Sequence, residues 1–212
     1  MRLLTFIILL VTTNILLSAP RTYVEGTHYE RLPKKVSTIT GDKIEVTEAF
    51  SYLCGACYRF EPTLNSWKKG MPDDVELVKL HVIYNGGMKK YAQILYTAEA
   101  LGVEDKITPA VFKAIHIQKN RLANIPAIQK FFEAHGVPGD KFRATFNSFN
   151  VDMNARRANQ RTKSMLVKGT PQMIVDGQYS VSVTKDIDHK KMLDIVDYLV
   201  AMIRLKKQVK AG

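Results

Sequence analysis

The sequence predicts an α/β protein in which a central mixed sheet is flanked by helices and interrupted by an inserted helical segment. Three observations favour this class. A strand pattern runs into a helical pattern near residue 54, a long middle stretch has helical periodicity only, and strand patterns return near residue 172 before a final helix. This order of strands and helices is typical of an α/β sheet split by an insertion.

The first half of the sheet is predicted from two strand patterns, Lys43–Phe50 and Val75–Tyr84. Between them the apolar period becomes that of a helix, with the spacing i, i+4 and i+7 in Phe60, Leu64 and Trp67. The strand and helix patterns meet at Cys54 and Cys57. The cysteines are therefore predicted to lie on a strand-to-helix turn, with Trp67 packed in the core.

The middle of the chain is predicted to be helical throughout. Thr108, followed by Pro109, has the pattern of a helix N-cap with proline at the first helical position. Asp140 is predicted to cap a helix that carries Phe142, Phe146 and Phe149. Other helical patterns contain the apolar residues Tyr91, Ile94, Leu95, Ala98 and Leu101; Val111, Phe112 and Ile115; Ile128, Phe131 and Phe132; and the run from Val151 to about Leu166.

Two strands and a helix are predicted at the C-terminal end. Gln172–Val175 and Gln178–Val183 flank Asp176-Gly177, which is a strong signal for a two-residue hairpin. The amphipathic helix that follows carries Met192, Ile195, Val196, Leu199 and Ile203.

A strand–helix–strand half and a strand–strand–helix half, with Cys-x-x-Cys at the first helix, form the thioredoxin arrangement. The predicted organisation is a thioredoxin-like domain of residues 20–84 and 168–212, split by an inserted helical domain of residues 85–167. We predict no cofactor.

The chain has only two cysteines, in the sequence Cys54-Gly55-Ala56-Cys57. A disulfide between them closes too short a loop to stabilise a fold much, so redox chemistry is the leading interpretation. Zinc binding is the alternative, because Cys-x-x-Cys is also half of a zinc site. The other half is missing, since no two of the five histidines have the spacing of a zinc ligand pair: His28, His81, His116, His135 and His189.

The N-terminus has the pattern of a secretory signal over residues 1–19. A short positive start, Met1-Arg2, precedes a mostly apolar stretch that ends at Ser18-Ala19. The alternative is an uncleaved anchor, because Leu17 is large for its position before the cleavage point and Pro20 follows that point. In either case the folded part is exported, where a thiol pair is not kept reduced as it is in the cytosol.

The formal net charge is +11, which raises the question of nucleic-acid binding. The lysines and arginines are scattered in pairs along the chain, and no nucleic-acid motif surrounds them. We interpret them as a solvated surface and predict no nucleic-acid partner.

The two cysteines are expected to differ in reactivity. Cys54 opens a helix, where free backbone N–H groups and the helix dipole favour a thiolate, so it should be the exposed sulfur of low pKa. Cys57 lies one turn inside and should be shielded.

Five short runs carry a family resemblance over nearly all of the mature chain: Glu25-Gly26-x-x-Tyr29, Glu48 to Cys54, Lys79 to Val82, Ala100 to Lys106, and Gly169-Thr170-Pro171. In them the chain resembles the periplasmic DsbA-type thiol:disulfide oxidoreductases of Gram-negative bacteria. The resemblance implies that Pro171 is cis and faces the cysteines, with Glu48 and Lys79 beneath them. It also implies an oxidase of reduced secreted proteins that is itself reoxidised by a DsbB-type membrane quinone reductase.

This chain departs from the best-known members of the family at two positions. They have Pro-His between the cysteines, where this chain has Gly55-Ala56, and they usually have valine where this chain has Thr170. Ala56 offers neither charge nor hydrogen bond, so the oxidising strength stays open. The Thr170 hydroxyl either donates to a sulfur or bonds to its own backbone.

Three further site residues each have two interpretations. Glu48 and Lys79 are either an ion pair that transfers a proton to Cys57 or a structural pair that closes the sheet. His81 is either a packed core histidine or a redox residue.

Two other functions are consistent with the same sequence. A reductase or isomerase would need a reducing membrane partner and usually a dimerisation domain, which we do not find. A non-catalytic binding module or holdase for exported chains would use an apolar groove while the cysteines rest oxidised.

Overall fold

The computed structural model describes residues 22–211. The predicted signal of residues 1–19 lies outside the described residues. Within them, a five-stranded sheet has the order β1-β5-β4-β2-β3. The strands are β1 (Glu30–Arg31), β2 (Ile44–Phe50), β3 (Val75–His81), β4 (Gln172–Val175) and β5 (Tyr179–Ser182).

The sheet is mixed because its two halves are connected differently. β2 and β3 are parallel and are joined by a crossover helix, α1 (Gly55–Lys68), as a parallel pair requires. β4 runs antiparallel to both β2 and β5. The sequence prediction of β4 is confirmed at both ends, whereas the pattern that ran on to Tyr84 ends as a strand at His81.

The hairpin between β4 and β5 has the predicted turn. Asp176 and Gly177 both have positive φ, 50° and 62°, as a two-residue turn of this hand needs. A side chain at Gly177 would collide with the backbone carbonyl of Val36, whose N–H in turn donates to the Gly177 carbonyl at 2.8 Å. Glycine is required there by both the backbone angle and the close approach.

The inserted region between β3 and β4 is helical, as predicted. After a short 3₁₀ turn, Gly86–Met88, it contains α2 (Lys89–Ala100), α3 (Glu104–His116), α4 (Ile125–Ala134), α5 (Gly139–Phe146) and α6 (Phe149–Ser164). The final helix of the chain, α7 (His189–Ala211), returns to the sheet.

Two helix starts differ from the prediction. α3 begins at Glu104 instead of at the Thr108 cap, because Glu104 and Asp105 place acidic groups in its first turn, where the helix dipole favours them. Asp140 lies within the first turn of α5, whose N-cap is Pro138.

Phe149 does not belong to the α5 core. Ser148 caps a new helix there by accepting a hydrogen bond from the Val151 N–H, so Phe149 opens α6 and points outward, 76% exposed. The prediction that Phe149 lies on the same helix as Phe142 and Phe146 was wrong.

The two faces of the sheet bury separate apolar cores. Alternate residues of β4 show the division, since Ile174 faces the inserted helices and Met173 and Val175 face α1 and α7. Trp67 is partly buried against the second core, and its indole N–H donates to Asp197 of α7 at 2.8 Å.

A buried ion pair joins the insertion to the sheet. Glu45 of β2 is fully buried and accepts hydrogen bonds from Arg161 of α6 and from the Thr47 hydroxyl.

Of the helices in residues 22–211, none is both long and apolar enough to cross a membrane.

Candidate active site

Three chain segments meet at one edge of the sheet. β2 ends at Phe50, and Cys54 follows as the N-cap of α1. β4 runs antiparallel to β2, so the residues that precede β4 lie beside those that follow β2. This brings Thr170 and Pro171 to the cysteines, although more than 100 residues separate them in sequence.

Cys54 has its sulfur at the N-terminus of α1. Both cysteines are free thiols in this structure, and Cys54 is partly exposed whereas Cys57 is fully buried. The backbone N–H of Cys57 donates to the Cys54 sulfur at 3.3 Å. This contact satisfies one of the free N–H groups of the first helical turn.

Hydrogen bonding lowers the pKa of the Cys54 thiol to about 5 from the ordinary value of 9.0. The largest contribution comes from the side chain of Cys57, and burial opposes it. A hydrogen bond from the Thr170 side chain and the backbone N–H groups of Cys57 and Ala56 lower the pKa further. Cys54 is therefore a thiolate at neutral pH.

Cys57 is the opposite case. Its hydrogen bond to Cys54 and its burial raise the pKa of the Cys57 thiol far above the ordinary value. It stays protonated, and its thiol stabilises the neighbouring thiolate.

The loop before β4 faces Cys54 directly. The Thr170–Pro171 peptide bond is cis, as the family resemblance implied. The Cys54 sulfur lies 3.2 Å from the Thr170 carbonyl oxygen, to which it donates a hydrogen bond only when it is protonated. Pro171 is buried, and Thr170 is partly exposed.

A buried ionic cluster lies below Cys57. Glu48 of β2 pairs with Lys79 in the register of β2 and β3, and the Lys79 ammonium is 3.2 Å from the Glu48 carboxylate. Glu61 of α1 lies closer to the same ammonium, at 2.7 Å. All three side chains are at least nine-tenths buried.

Glu48 and Glu61 interact unequally with Lys79. Lys79 donates a hydrogen bond to Glu61, whereas neither carboxylate oxygen of Glu48 has a hydrogen-bond partner within the described residues. Burial is the main reason that the pKa of Glu48 rises to about 7, although the charge of Lys79 opposes it. Burial lowers the pKa of Lys79, but the two carboxylates together outweigh it and hold the pKa above its ordinary value.

His81 is fully buried with both ring nitrogens occupied. Nε2 accepts from the Tyr52 N–H at 3.1 Å, and Nδ1 lies 2.9 Å from the Val82 carbonyl, to which it must donate. Burial lowers the pKa of His81 to about 3, so the ring is neutral.

Tyr52, whose backbone N–H donates to His81, makes two further polar contacts. Its carbonyl also accepts from His116 Nε2 at 2.9 Å, and its hydroxyl is 2.9 Å from the Thr108 hydroxyl. These bonds fix the backbone two residues before Cys54.

Four residues of the site were missed in the sequence. Glu61 lies four residues after Cys57 on α1, and this spacing places it on the same helix face, which was the signal available. Arg59 also folds back on the first turn, with Nη1 3.5 Å from where a Cβ of Gly55 would be. Tyr84 and His189 lie within electrostatic reach of Cys54, and no pattern in the sequence indicated either of them.

Metal-ligating side chains do not gather at the site. No group of three or more His, Cys, Asp or Glu residues in the described part of the chain could hold a metal ion.

Known proteins are similar to this chain in sequence and in fold. A family model described as "DSBA-like thioredoxin domain" matches residues 76–192. The thiol:disulfide interchange protein DsbA of Azotobacter vinelandii is 34% identical over 179 residues, which cover 84% of each chain. The chain belongs to the DsbA family. The DsbA of Bordetella parapertussis is 36% identical over 205 residues, covering 96% of each chain.

Solved DsbA structures agree with this assignment. The crystal structure of Pseudomonas aeruginosa DsbA covers 88% of this chain and 97% of its own, with a TM-score of 0.83 at 33% identity. Reduced DsbA1 of Neisseria meningitidis covers 90% of this chain and 100% of its own, with a TM-score of 0.80 at 27% identity. This DsbA-family chain is a thiol:disulfide oxidoreductase with a thioredoxin-like fold.

Proposed function

We propose that this protein is an exported dithiol oxidase that donates the Cys54–Cys57 disulfide to reduced secreted proteins in the periplasm. The difference between the two thiols is the observation that carries the proposal. A Cys54 thiolate is stabilised at the helix N-terminus, whereas Cys57 is buried and protonated. Stabilising the thiolate favours the dithiol form and makes the disulfide a stronger oxidant.

The reaction proceeds through a mixed disulfide. A substrate thiolate attacks the Cys54 sulfur, the Cys54–Cys57 bond breaks, and Cys57 leaves as a thiolate that takes up a proton. A second substrate thiolate then attacks the substrate sulfur of the mixed disulfide and releases the Cys54 thiolate. Two electrons pass from the substrate dithiol to the enzyme disulfide.

Glu48 is the group suited to supply the proton to Cys57. Its pKa of about 7 allows both protonation states at neutral pH, and it lies within electrostatic reach of Cys57. Lys79 pairs with Glu48 and is itself held by Glu61. His81 acts as a structural residue, because protonation of Nε2 would break its bond to Tyr52.

The loop residues supply the binding surface at Cys54. Thr170 donates to the thiolate and its carbonyl lies against the sulfur, with Pro171 setting the direction of the loop. Gly55 and Ala56 place no large side chain beside Cys54, and its sulfur is partly exposed to a polypeptide. In this proposal residues 20–84 and 168–212 carry the chemistry, residues 85–167 cover it, and a DsbB-type membrane quinone reductase is the reoxidant.

Trapping experiments test the proposed route. Cys54 of the Cys57→Ser variant is first converted to a mixed disulfide with glutathione; reduced unfolded substrates should displace the glutathione and accumulate as mixed disulfides with Cys54, because no Cys57 thiol is present to attack Cys54 and release them. The Cys54→Ser variant should trap none. Trapping by Cys54→Ser alone would overturn the assignment of the two cysteines.

Oxidation assays separate the proposed function from its alternatives. The oxidised enzyme should convert a dithiol peptide to its disulfide stoichiometrically. A potential near that of thioredoxin, measured against glutathione, would favour the reductase or isomerase. Failure to oxidise any dithiol peptide, with retained binding of unfolded chains, would favour the holdase.

A further inference from the structure

A second feature lies at the same sheet edge as the cysteines. β2 and β3 are parallel, so their carboxyl ends meet at one edge. Cys54 follows β2 and Tyr84 follows β3, each after a few residues. Tyr84 is 51% exposed. The backbone N–H of Val82, two residues before Tyr84, donates to the carbonyl of Phe50 at 2.8 Å, so the segment that leaves β3 starts beside the segment that leads from β2 to Cys54.

Tyr84 forms one wall of a cleft of about 450 Å³ between the loop after β3 and helix α6. The cleft contains three cations, Lys89, Arg156 and Lys163, and no carboxylate is among its lining residues. Asn85 and Asn159 also line the cleft. A cleft lined by one sign of charge concentrates the field of those charges.

Internal pairing neutralises only part of this charge. Asp152 of α6 accepts from Lys89 at 2.6 Å and from Arg156 at 2.7 Å. The side chain of Lys163 makes no hydrogen bond or ion pair with any residue of the described range, and it is exposed. Three cations thus face one carboxylate, and Lys163 is left unpaired for a ligand.

We propose that this cleft is a substrate subsite that binds an acidic segment of the polypeptide whose thiol attacks Cys54. This inference rests on the proposed function and adds a substrate preference to it. Lys163 attracts the acidic side chains, and the amides of Asn85 and Asn159 donate hydrogen bonds to them. Tyr84 lines the cleft and follows β3, whose carboxyl end lies beside that of β2, so a chain bound in the cleft can extend past Tyr84 towards Cys54.

The shape of the cleft favours a polypeptide over an anionic membrane surface as its occupant. The cations line a concave site between a loop and a helix, with amides suited to individual carboxylates. A flat lipid surface would instead be met by long cations spread over an exposed face.

Paired peptides test the inference. We would measure the rate at which the oxidised enzyme oxidises two dithiol peptides with the same cysteine spacing, one flanked by Asp and Glu and one by Asn and Gln. For each enzyme we would take the ratio of the rate with the acidic peptide to the rate with the neutral peptide. This ratio should be about two- to threefold lower for the Lys163→Gln variant than for the wild type. The intrinsic reactivity of the peptide thiols cancels in this comparison, because both enzymes meet the same peptides.

The matched control is Lys130→Gln in α4, which removes an exposed lysine that has no ion pair with residues 22–211. It should keep the wild-type ratio, and about 0.5 M salt should abolish the difference between wild type and Lys163→Gln. Equal ratios in all three proteins would overturn the subsite, while oxidation of both peptides would leave the proposed function intact. The wild type can also be tested for binding to phosphatidylglycerol vesicles. If Lys163→Gln weakens this binding but leaves the peptide rate ratio unchanged, the cleft binds lipid and the proposed peptide subsite is overturned.

Discussion

At the scale of single residues, the reactivity of this protein depends on what surrounds one sulfur. The thiolate of Cys54 is stabilised without the motif histidine of the best-known DsbA proteins, by hydrogen bonds from Cys57, Thr170 and the backbone of the first helical turn. These hydrogen-bond donors are either backbone N–H groups or side chains whose positions are set by the folded backbone. Cys57, one turn further along α1, is fully buried and has no access to reagents.

This difference predicts selective alkylation of the reduced enzyme. Iodoacetamide should label Cys54 much faster than Cys57 at neutral pH, because only the thiolate is a nucleophile and only Cys54 is one. The labelling rate of Cys54 should fall as the pH drops through about 5. Peptide mapping after short exposures gives both rates, and equal or faster labelling of Cys57 would contradict the assigned roles.

Position 56 allows a second test at this scale. The Ala56→His variant adds a partial positive charge and an N–H donor near Cys54, which should lower the pKa of Cys54 and make the disulfide more oxidising. A gain of about 1.4 kcal/mol in the reduced form would shift the potential by about 30 mV. Equilibration with glutathione measures the potential, with Ala56→Gln as the uncharged control. If the potential is unchanged or more reducing, Thr170 is the next residue to change.

At the scale of secondary structure, two strands and one helix build the ionic cluster. The parallel register of β2 and β3 sets Glu48 opposite Lys79, and one further turn of α1 beyond Cys57 brings Glu61 to the same ammonium. Lys79 keeps a partner even without Glu48. A buried carboxylate with no hydrogen bond of its own is costly when ionised.

The cost predicts a pH dependence of stability. In the folded state the pKa of Glu48 is raised to about 7 from 4.5. Below pH 4.5, Glu48 is protonated in both the folded and the unfolded protein. Between pH 4.5 and about 7, the carboxyl group ionises in the unfolded protein but not in the folded one, so the free energy of unfolding falls as the pH rises through this range. Above the folded value the loss is complete.

The Glu48→Gln variant should avoid that loss. Relative to wild type, its free energy of unfolding should increase by about 1 to 3 kcal/mol between pH 4.5 and pH 8. Urea unfolding of the reduced proteins across this range measures the difference. Glu76→Gln removes a half-exposed carboxylate from β3 and should change stability little. A difference that shrinks as the pH rises would contradict the assigned burial cost.

At the scale of the whole molecule, the inserted helices and the sheet form one structure around the site. The core on the insertion side includes Cys57 together with residues of α2 to α6, so the active site is part of the packing between the two regions. The Glu45–Arg161 pair joins them a second time. Changes in the cysteine pair therefore act on the stability of the fold.

This coupling predicts the order of melting temperatures. If the Cys54 thiolate stabilises the reduced fold, the dithiol form should melt at a higher temperature than the disulfide form near neutral pH, by linkage between the redox and folding equilibria. Calorimetry of both forms makes the measurement. At a pH below 5, where Cys54 is protonated, the advantage should diminish. A more stable disulfide form at neutral pH would favour the reductase alternative.

The elements most fully predicted from sequence are those whose signals are local. Asp176-Gly177 specifies its hairpin because both residues accept positive φ, and β4 was placed correctly beside it. Thr108 was misplaced because its hydroxyl interacts with Tyr52 of another segment instead of capping its own helix. Phe149 was misplaced because the cap at Ser148 ended the aromatic stripe.

The sequence by itself determined the fold class, the redox pair and the unequal character of its cysteines, because these follow from periodicity and from the position of Cys54 at a helix start. Only the tertiary structure decided that Thr170 contacts Cys54, that Glu61 is the nearer partner of Lys79, and that both ring nitrogens of His81 are occupied. Thr170 and Cys54 are brought together by the antiparallel pairing of β4 with β2. Such distances depend on how strands and helices pack, which no local pattern of residues specifies.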